Sequence, residues 1–182
     1  MRSLLMSFVL LSLVGCAQNS ALPSLVAEQR GTSQGALGES RPLSFQVKRY
    51  PGGEPYSVAS DRGSVVLLDV WATWCEPCKD ALPLYEQLAK EYGSRGLKVY
   101  ALNVDEDTRG IEAFLAETKV SLPVLLDANA AVAEKTLQVK MMPTSYLLDR
   151  RGVVRFIHEG FAEEFLQKYQ TEIEQLLAER AE

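Results

Sequence analysis

Between Val65 and Tyr92 the chain passes from a buried-strand pattern into a helical one, with Cys75 and Cys78 at the junction. That order constrains the fold more than any other feature. Val65-Val66-Leu67-Leu68-Asp69-Val70-Trp71 is β-branched and aromatic-rich, as expected of a buried strand. From Cys78 to Tyr92 the residues Leu82, Tyr85, Leu88, Ala89 and Tyr92 share one helical face, and Gly93 and Gly96 punctuate its end. A second buried strand follows from Leu97 to Val104.

The pattern then predicts a helix around Arg109 to Thr118, a strand from Pro123 to Leu126 and a helix around Ala130 to Leu137. Ser145 to Leu148 and Val153 to Ile157 flank Asp149-Arg150-Arg151-Gly152, a connection suited to a hairpin. Ala162 to Glu179 reads as a closing amphipathic helix with Phe165, Tyr169, Ile173 and Leu176 inward. A leading hairpin from Leu43 to Val58 is expected on weaker signals. Parallel βαβ units followed by a hairpin and a helix imply an α/β fold, one mixed β-sheet flanked by helices on both faces. There is no internal repeat.

Chemistry concentrates in Trp71-Ala72-Thr73-Trp74-Cys75-Glu76-Pro77-Cys78-Lys79. A Cys-x-x-Cys on the first turn of a helix puts the first sulfur near unpaired backbone N–H groups and the positive end of the helix dipole. Both favour a thiolate. The two intervening residues bring the second sulfur within disulfide reach, and Pro77 is tolerated where a helix N–H would go unpaired. Cys75 is therefore assigned as the exposed nucleophile, and Cys78, one turn inward, as the thiol that resolves the mixed disulfide. Three other readings compete. Zinc would want four ligands, whereas the body offers two cysteines and the single His158. A structural disulfide over so short a loop adds little constraint. Two inert buried thiols fit an exported protein least.

The segment WATWCEPC, the strand–helix order and MMPTSYLLDRRG together resemble the thioredoxin superfamily, and within it the membrane-associated TlpA/ResA-like reductases of the AhpC/TSA-redoxin-like subgroup. The similarity covers about Leu43 to Leu177. It implies a thioredoxin-like sheet with a central helix–strand insertion between Thr108 and Leu137, a redox-active Cys75–Cys78 disulfide, and no cofactor or metal. Pro143 matches the family's cis-proline beside the disulfide, which exposes the backbone of Met142 to an extended substrate segment. Trp74, Glu76 and Pro77 fall on the same substrate-facing surface. Asp69 matches thioredoxin's buried acid, which helps deprotonate the inner cysteine; burial raises a carboxyl pKa toward the range a base needs. Two departures stand out. TlpA/ResA-like proteins commonly carry a neutral residue where Asp69 stands, and many carry a glutamate where this chain has Ala81. Asp80 is turned away by a helix step of about 100°. Glu76 opposes thiolate formation at Cys75 and Lys79 favours it. His158 is read as a strand residue, and Met141 and Met142 as packing or substrate contacts.

The N-terminus reads as an address. Met1-Arg2-Ser3 is short and basic, Leu4 to Val14 is apolar but too short to span a bilayer, and Leu13-Val14-Gly15-Cys16 resembles the bacterial lipobox. That implies a signal peptide over 1–15 and a lipidated Cys16, which places the body outside the cytoplasm where disulfides persist. Inner and outer membranes both stay open, with Ala17 leaning outward. Residues 16–41 are rich in Gly, Ser, Gln and Ala and read as a tether spanning roughly 25–30 Å as a coil. Residues 42–182 form the thioredoxin-like domain.

A net charge of −5 and the lack of any long like-charge block in the sequence argue against nucleic acid. The resemblance implies reduction of disulfides in exported proteins, either in apocytochrome c before haem attachment or in general disulfide repair, with electrons from a membrane donor of the DsbD or CcdA kind; a monomer is expected. The same site running backwards would be an oxidase or isomerase. A peroxiredoxin-like peroxidase would need a Pro/Thr-rich approach to its cysteine, which WATWCEPC lacks. A copper or assembly chaperone would use the thiols and methionines as ligands.

Overall fold

The computed structural model describes residues 41–180. The apolar leader, Cys16 and nearly all of the tether expected from the sequence lie outside those residues. No helix among the described residues is long and apolar enough to cross a membrane.

Seven strands form one sheet: β1 (Gln46–Arg49), β2 (Pro55–Ser57), β3 (Val65–Trp71), β4 (Leu97–Asn103), β5 (Val124–Leu126), β6 (Thr144–Leu148) and β7 (Val154–Glu159). Their spatial order is β2-β1-β5-β4-β3-β6-β7. β3, β4 and β5 run parallel, while β6 pairs antiparallel with both β3 and β7. The leading hairpin β1–β2 adds to the free side of β5, also antiparallel. The expected mixed sheet is present. β3 is its centre, and all seven of its residues are buried, which is why it reads as an unbroken apolar run rather than an alternating one.

Alternation along β3 divides the core. Val65, Leu67 and Trp71 face a cluster built with α1 (Cys78–Tyr92), α2 (Ile111–Thr118) and α4 (Phe165–Ala178), through Leu82, Tyr85, Phe114, Tyr169 and Ile173. Val66, Leu68 and Val70 face the other cluster, which holds Tyr56, Leu125 and Tyr146 together with Ala133 of α3 (Ala131–Lys135). Helices therefore cover both faces, unequally.

Local boundaries depart from the sequence pattern in two places. The helix expected over 130–137 is shorter, Ala131–Lys135. A 3-10 turn over Ala128–Ala130 precedes α3, and Asn129 and Ala130 take positive φ. The reason is Asp127, whose carboxylate accepts the N–H groups of Val132 and Ala133 at 3.0 and 2.8 Å. These donors belong to the first turn of α3, where a helix leaves its N–H groups unpaired, so the carboxylate caps the helix and sets its start at Ala131. The closing helix begins at Phe165 rather than Ala162, after turns whose N–H groups bond to Ala162 and Glu163.

Candidate active site

The redox pair sits beyond the C-terminal end of β3. Cys75 and Cys78 are joined by a disulfide, with S–S 2.03 Å and Cα atoms 5.4 Å apart. Cys75 retains 5% of its surface and Cys78 none. The order of accessibility is the expected one, but Cys75 is not openly exposed: Trp74, at 70% exposure, carries the surface beside it.

The helix spans the residues that the sequence pattern predicts for it, Cys78–Tyr92, but Cys75 lies ahead of its first turn rather than on it. α1 begins at Cys78, and Pro77 occupies the N-cap position. Cys75 to Pro77 form the preceding turns. The N–H groups expected to face the sulfur are occupied instead, since Cys78 N donates to Cys75 O at 3.1 Å, Lys79 N to Glu76 O at 3.1 Å, and Asp80 N and Ala81 N to Pro77 O. Tightened terminal turns satisfy these donors within the chain. The axial field of the helix remains to favour a thiolate at its N-terminal end.

The charges nearest the pair offset one another. Lys79 Nζ lies 3.3 Å from Glu76 and 3.0 Å from Glu117, and these carboxylates, Glu117 first, raise the lysine pKa. Glu76 is 83% exposed, so water screens it further.

Asp69 is fully buried, and burial alone pushes its carboxyl well above the usual range. Neither oxygen has a hydrogen-bond partner. It stands on the same face of β3 as Leu67 and Trp71, the face that packs against the cluster containing both cysteines. Its charge also reaches Tyr85 and Tyr169, helping to raise both phenols, although burial is the larger cause in each. A carboxyl with no donor in an apolar interior gives up its proton only at a higher pH than a solvated one, which moves it toward the range in which it can take a proton from a thiol. Ala81, where a glutamate was the alternative, is fully buried, so no second carboxyl comes from that position.

The peptide between Met142 and Pro143 is cis, as the resemblance implied. Pro143 O accepts the N–H of Gly160 at 2.8 Å, and Thr144 Oγ1 donates to Met141 O at 2.8 Å. Met141 is 52% exposed, and it and Trp74 are the exposed large apolar side chains among the described residues. Met142 is partly buried against both clusters. His158, read as a plain strand residue, is buried on β7 with Nε2 2.6 Å from Glu172.

Sequence reasoning missed Asp105. Its carboxylate accepts Thr73 N at 3.0 Å and Asn103 Nδ2 at 2.8 Å, and so anchors the loop that carries Trp74. Gly110 closes on the same loop, where a Cβ would stand 3.2 Å from Thr73. These residues border a shallow groove of about 410 Å³ running from Trp74 to Asp107. Asp105 carries no local motif that shows this, since Thr73 lies 32 residues away beyond the end of β3 and only Asn103 is near in sequence.

The AhpC/TSA family profile matches residues 39–157. The chain belongs to the AhpC/TSA family. Among curated relatives, it is 37% identical over 111 residues to the thioredoxin-like protein YneN of Bacillus subtilis, covering 59% of this chain and 64% of that one. It is 30% identical over 118 residues to the thiol-disulfide oxidoreductase ResA of Bacillus thuringiensis, covering 64% and 68%. The match therefore spans about two thirds of these relatives. Among solved structures, a Chlorobium tepidum protein described as a thiol:disulfide interchange protein DsbE superposes with a TM-score of 0.72 at 31% identity, covering 79% of this chain and all of that one. A Bacteroides thetaiotaomicron protein at 24% identity shares the fold with a TM-score of 0.69. Together with the disulfide at the helix start, these likenesses make the site one of thiol–disulfide oxidoreductase chemistry in a thioredoxin-like, ResA-like member of the family.

Proposed function

We propose that the protein reduces disulfides in exported proteins from the outer side of a bacterial membrane, to which Cys16 anchors it through lipid. The observation that carries the redox part is the graded burial of the pair, with Cys75 at the rim, Cys78 enclosed, and the unpartnered Asp69 carboxyl on the cluster face behind them.

The cycle starts from the dithiol. The Cys75 thiolate attacks one sulfur of the substrate disulfide, forming a mixed disulfide and releasing the other substrate sulfur as a thiolate, which takes a proton from water. Asp69, in its ionised form, accepts the Cys78 proton. The Cys78 thiolate then attacks Cys75 Sγ, closing the Cys75–Cys78 disulfide and expelling the second substrate thiolate. Two electrons have passed to substrate. A dithiol on a membrane donor of the DsbD or CcdA kind returns them. Trp74 and Met141 offer apolar contact to the bound segment, Glu76 and Pro77 border it, and the backbone of Met142 before Pro143 is free to pair with it as an added strand. Apocytochrome c, whose cysteines must be reduced before haem attachment, is a fitting substrate class.

Support for an extracytoplasmic place comes from the lipobox-like Leu13-Val14-Gly15-Cys16 and from a redox pair whose partners are disulfides. Thiol trapping in intact cells tests the direction. A mainly reduced pair is expected, and a mainly oxidised one would make the protein an oxidase.

A further inference from the structure

The end of the domain opposite the cysteines carries a concentration of arginine that the redox chemistry does not use. The chain enters the fold there: Leu43 N donates to Gly152 O at 2.8 Å, two residues after Arg41. Arg62 Nη2 donates to Leu43 O at 3.0 Å, and Arg150 donates to Gly63 O at 2.7 Å and to Leu177 O at 3.1 Å. Both guanidinium groups are held by neutral carbonyls, so their charge is not cancelled by these bonds. Arg151 and Arg180 border the same open recess as Arg150, which encloses about 360 Å³.

Among the described residues the acids at this end are few. Asp149 is buried and meets Arg151 at 3.3 Å and Arg155 at 3.6 Å, and Glu179 meets Arg155 at 2.6 Å. The neighbouring contacts Lys98–Asp61 and Arg95–Glu174 each pair one cation with one carboxylate. Among the described residues, and leaving those two balanced pairs aside, six arginines at 41, 62, 150, 151, 155 and 180 therefore stand with the carboxylates of Asp149 and Glu179, in a chain whose net charge is −5. Around the cysteines the balance reverses, with Glu76, Asp105, Glu106 and Asp107 against Lys79 and Arg109. The two ends are separated by the length of β3, about 20 Å at 3.3 Å per residue.

We infer that this arginine end is a docking surface for anionic lipid head groups, which holds the domain on the membrane with the Cys75–Cys78 site facing away from it. The inference rests on the anchored, extracytoplasmic reading. Three features point to lipid as the occupant. The described chain begins beside the patch, so the stretch leading from Cys16 delivers this end first. Guanidinium groups form paired bonds to phosphate oxygens. The acidic rim around the cysteines is repelled by the same anionic surface. An exposed basic cluster near a bilayer is attracted within a Debye length, about 8 Å at physiological ionic strength, so contact is reversible and leaves the site free to turn toward a membrane donor.

Hydrogen exchange read by mass spectrometry tests this on the full acylated chain, reconstituted on vesicles of phosphatidylcholine alone or mixed with phosphatidylglycerol. The expected result is about tenfold slower exchange over 149–153 and 176–180 on the anionic vesicles only, lost at high salt, with 73–78 unchanged. The double variant Arg151→Gln/Arg180→Gln should lose most of that protection while reducing insulin normally. Equal exchange on the two lipids, protection of 73–78 instead, or protection undiminished in the double variant would overturn the inference. Inorganic phosphate that protects the same segments without vesicles would assign the recess to a free anion and overturn it equally. Flotation on neutral vesicles reads the anchor separately. A chain that fails to float there contradicts the anchored reading, while exchange on anionic vesicles still decides the docking surface.

Discussion

Ser145 lies directly across the β3–β6 ladder from Asp69, yet its hydroxyl joins Tyr169 at 2.6 Å and leaves the carboxyl without a partner. The buried acid is therefore surrounded by groups bonded to one another. Tyr169 Oη is also 2.9 Å from Tyr85 Oη, so the three hydroxyls form a chain with Tyr169 in the middle.

The raised pKa of Asp69 fixes a sign for stability against pH. In the unfolded chain the carboxyl ionises near 3.9, while in the fold it stays protonated to a higher pH. Between those two values the folded state binds the extra proton, so stability falls as pH rises. Asp69→Asn, which does not titrate, should gain on the native protein by about 1.4 kcal/mol per pH unit through that window. Urea unfolding at several pH values measures it, and parallel curves would refute it.

Glu86 should act in the opposite sense. Burial works to raise its pKa, but the Lys90 ammonium and the Ser121 hydroxyl and N–H outweigh it and hold the carboxyl below its ordinary range. Its contribution is present above the unfolded pKa and lost as pH falls through the folded one. Glu86→Gln is expected to cost about 1 kcal/mol near neutrality and little in acid.

Tyr169→Phe removes the hydroxyl that joins Tyr85 and Ser145 while keeping the ring packed against His158 at 4.5 Å and Tyr85 at 5.4 Å. Two buried hydroxyls lose a shared partner, and a loss of about 1–3 kcal/mol is expected in denaturant unfolding.

Trp74→Ala should separate binding from folding. At 70% exposure the side chain adds little to stability, and a change within about 0.5 kcal/mol is expected. Exchange with a protein disulfide should slow about tenfold or more, because exposed tryptophans beside a site carry contact energy. Exchange with oxidised glutathione should change far less.

How much of this was legible in the sequence varies with the kind of force involved. β3 was read to the residue because full burial leaves a continuous apolar run. The Cys75–Cys78 site and the cis bond before Pro143 followed from local spacing and resemblance. The span of α1 matched its apolar spacing, but Cys75 lies ahead of the first turn, because turn bonds to Cys75, Glu76 and Pro77 take up the first donors, and Pro83 inside α1 went unremarked. The roles of Asp127 and Asp105 were not legible. Each depends on a carboxylate reaching backbone donors, in the case of Asp105 more than thirty residues away on another loop. The arginine end was equally hidden, since residues 41, 62, 150, 155 and 180 are scattered along the chain and meet only through the β6–β7 turn and the end of α4.

The central claim is that Cys75, at the rim of the site, attacks and the fully enclosed Cys78 resolves. Cys78→Ser, expressed as the full chain, should accumulate mixed disulfides through Cys75 with exported proteins, recovered under non-reducing conditions and identified by mass spectrometry, whereas Cys75→Ser should accumulate none. Equal trapping by both variants, or none by Cys78→Ser, would contradict the account.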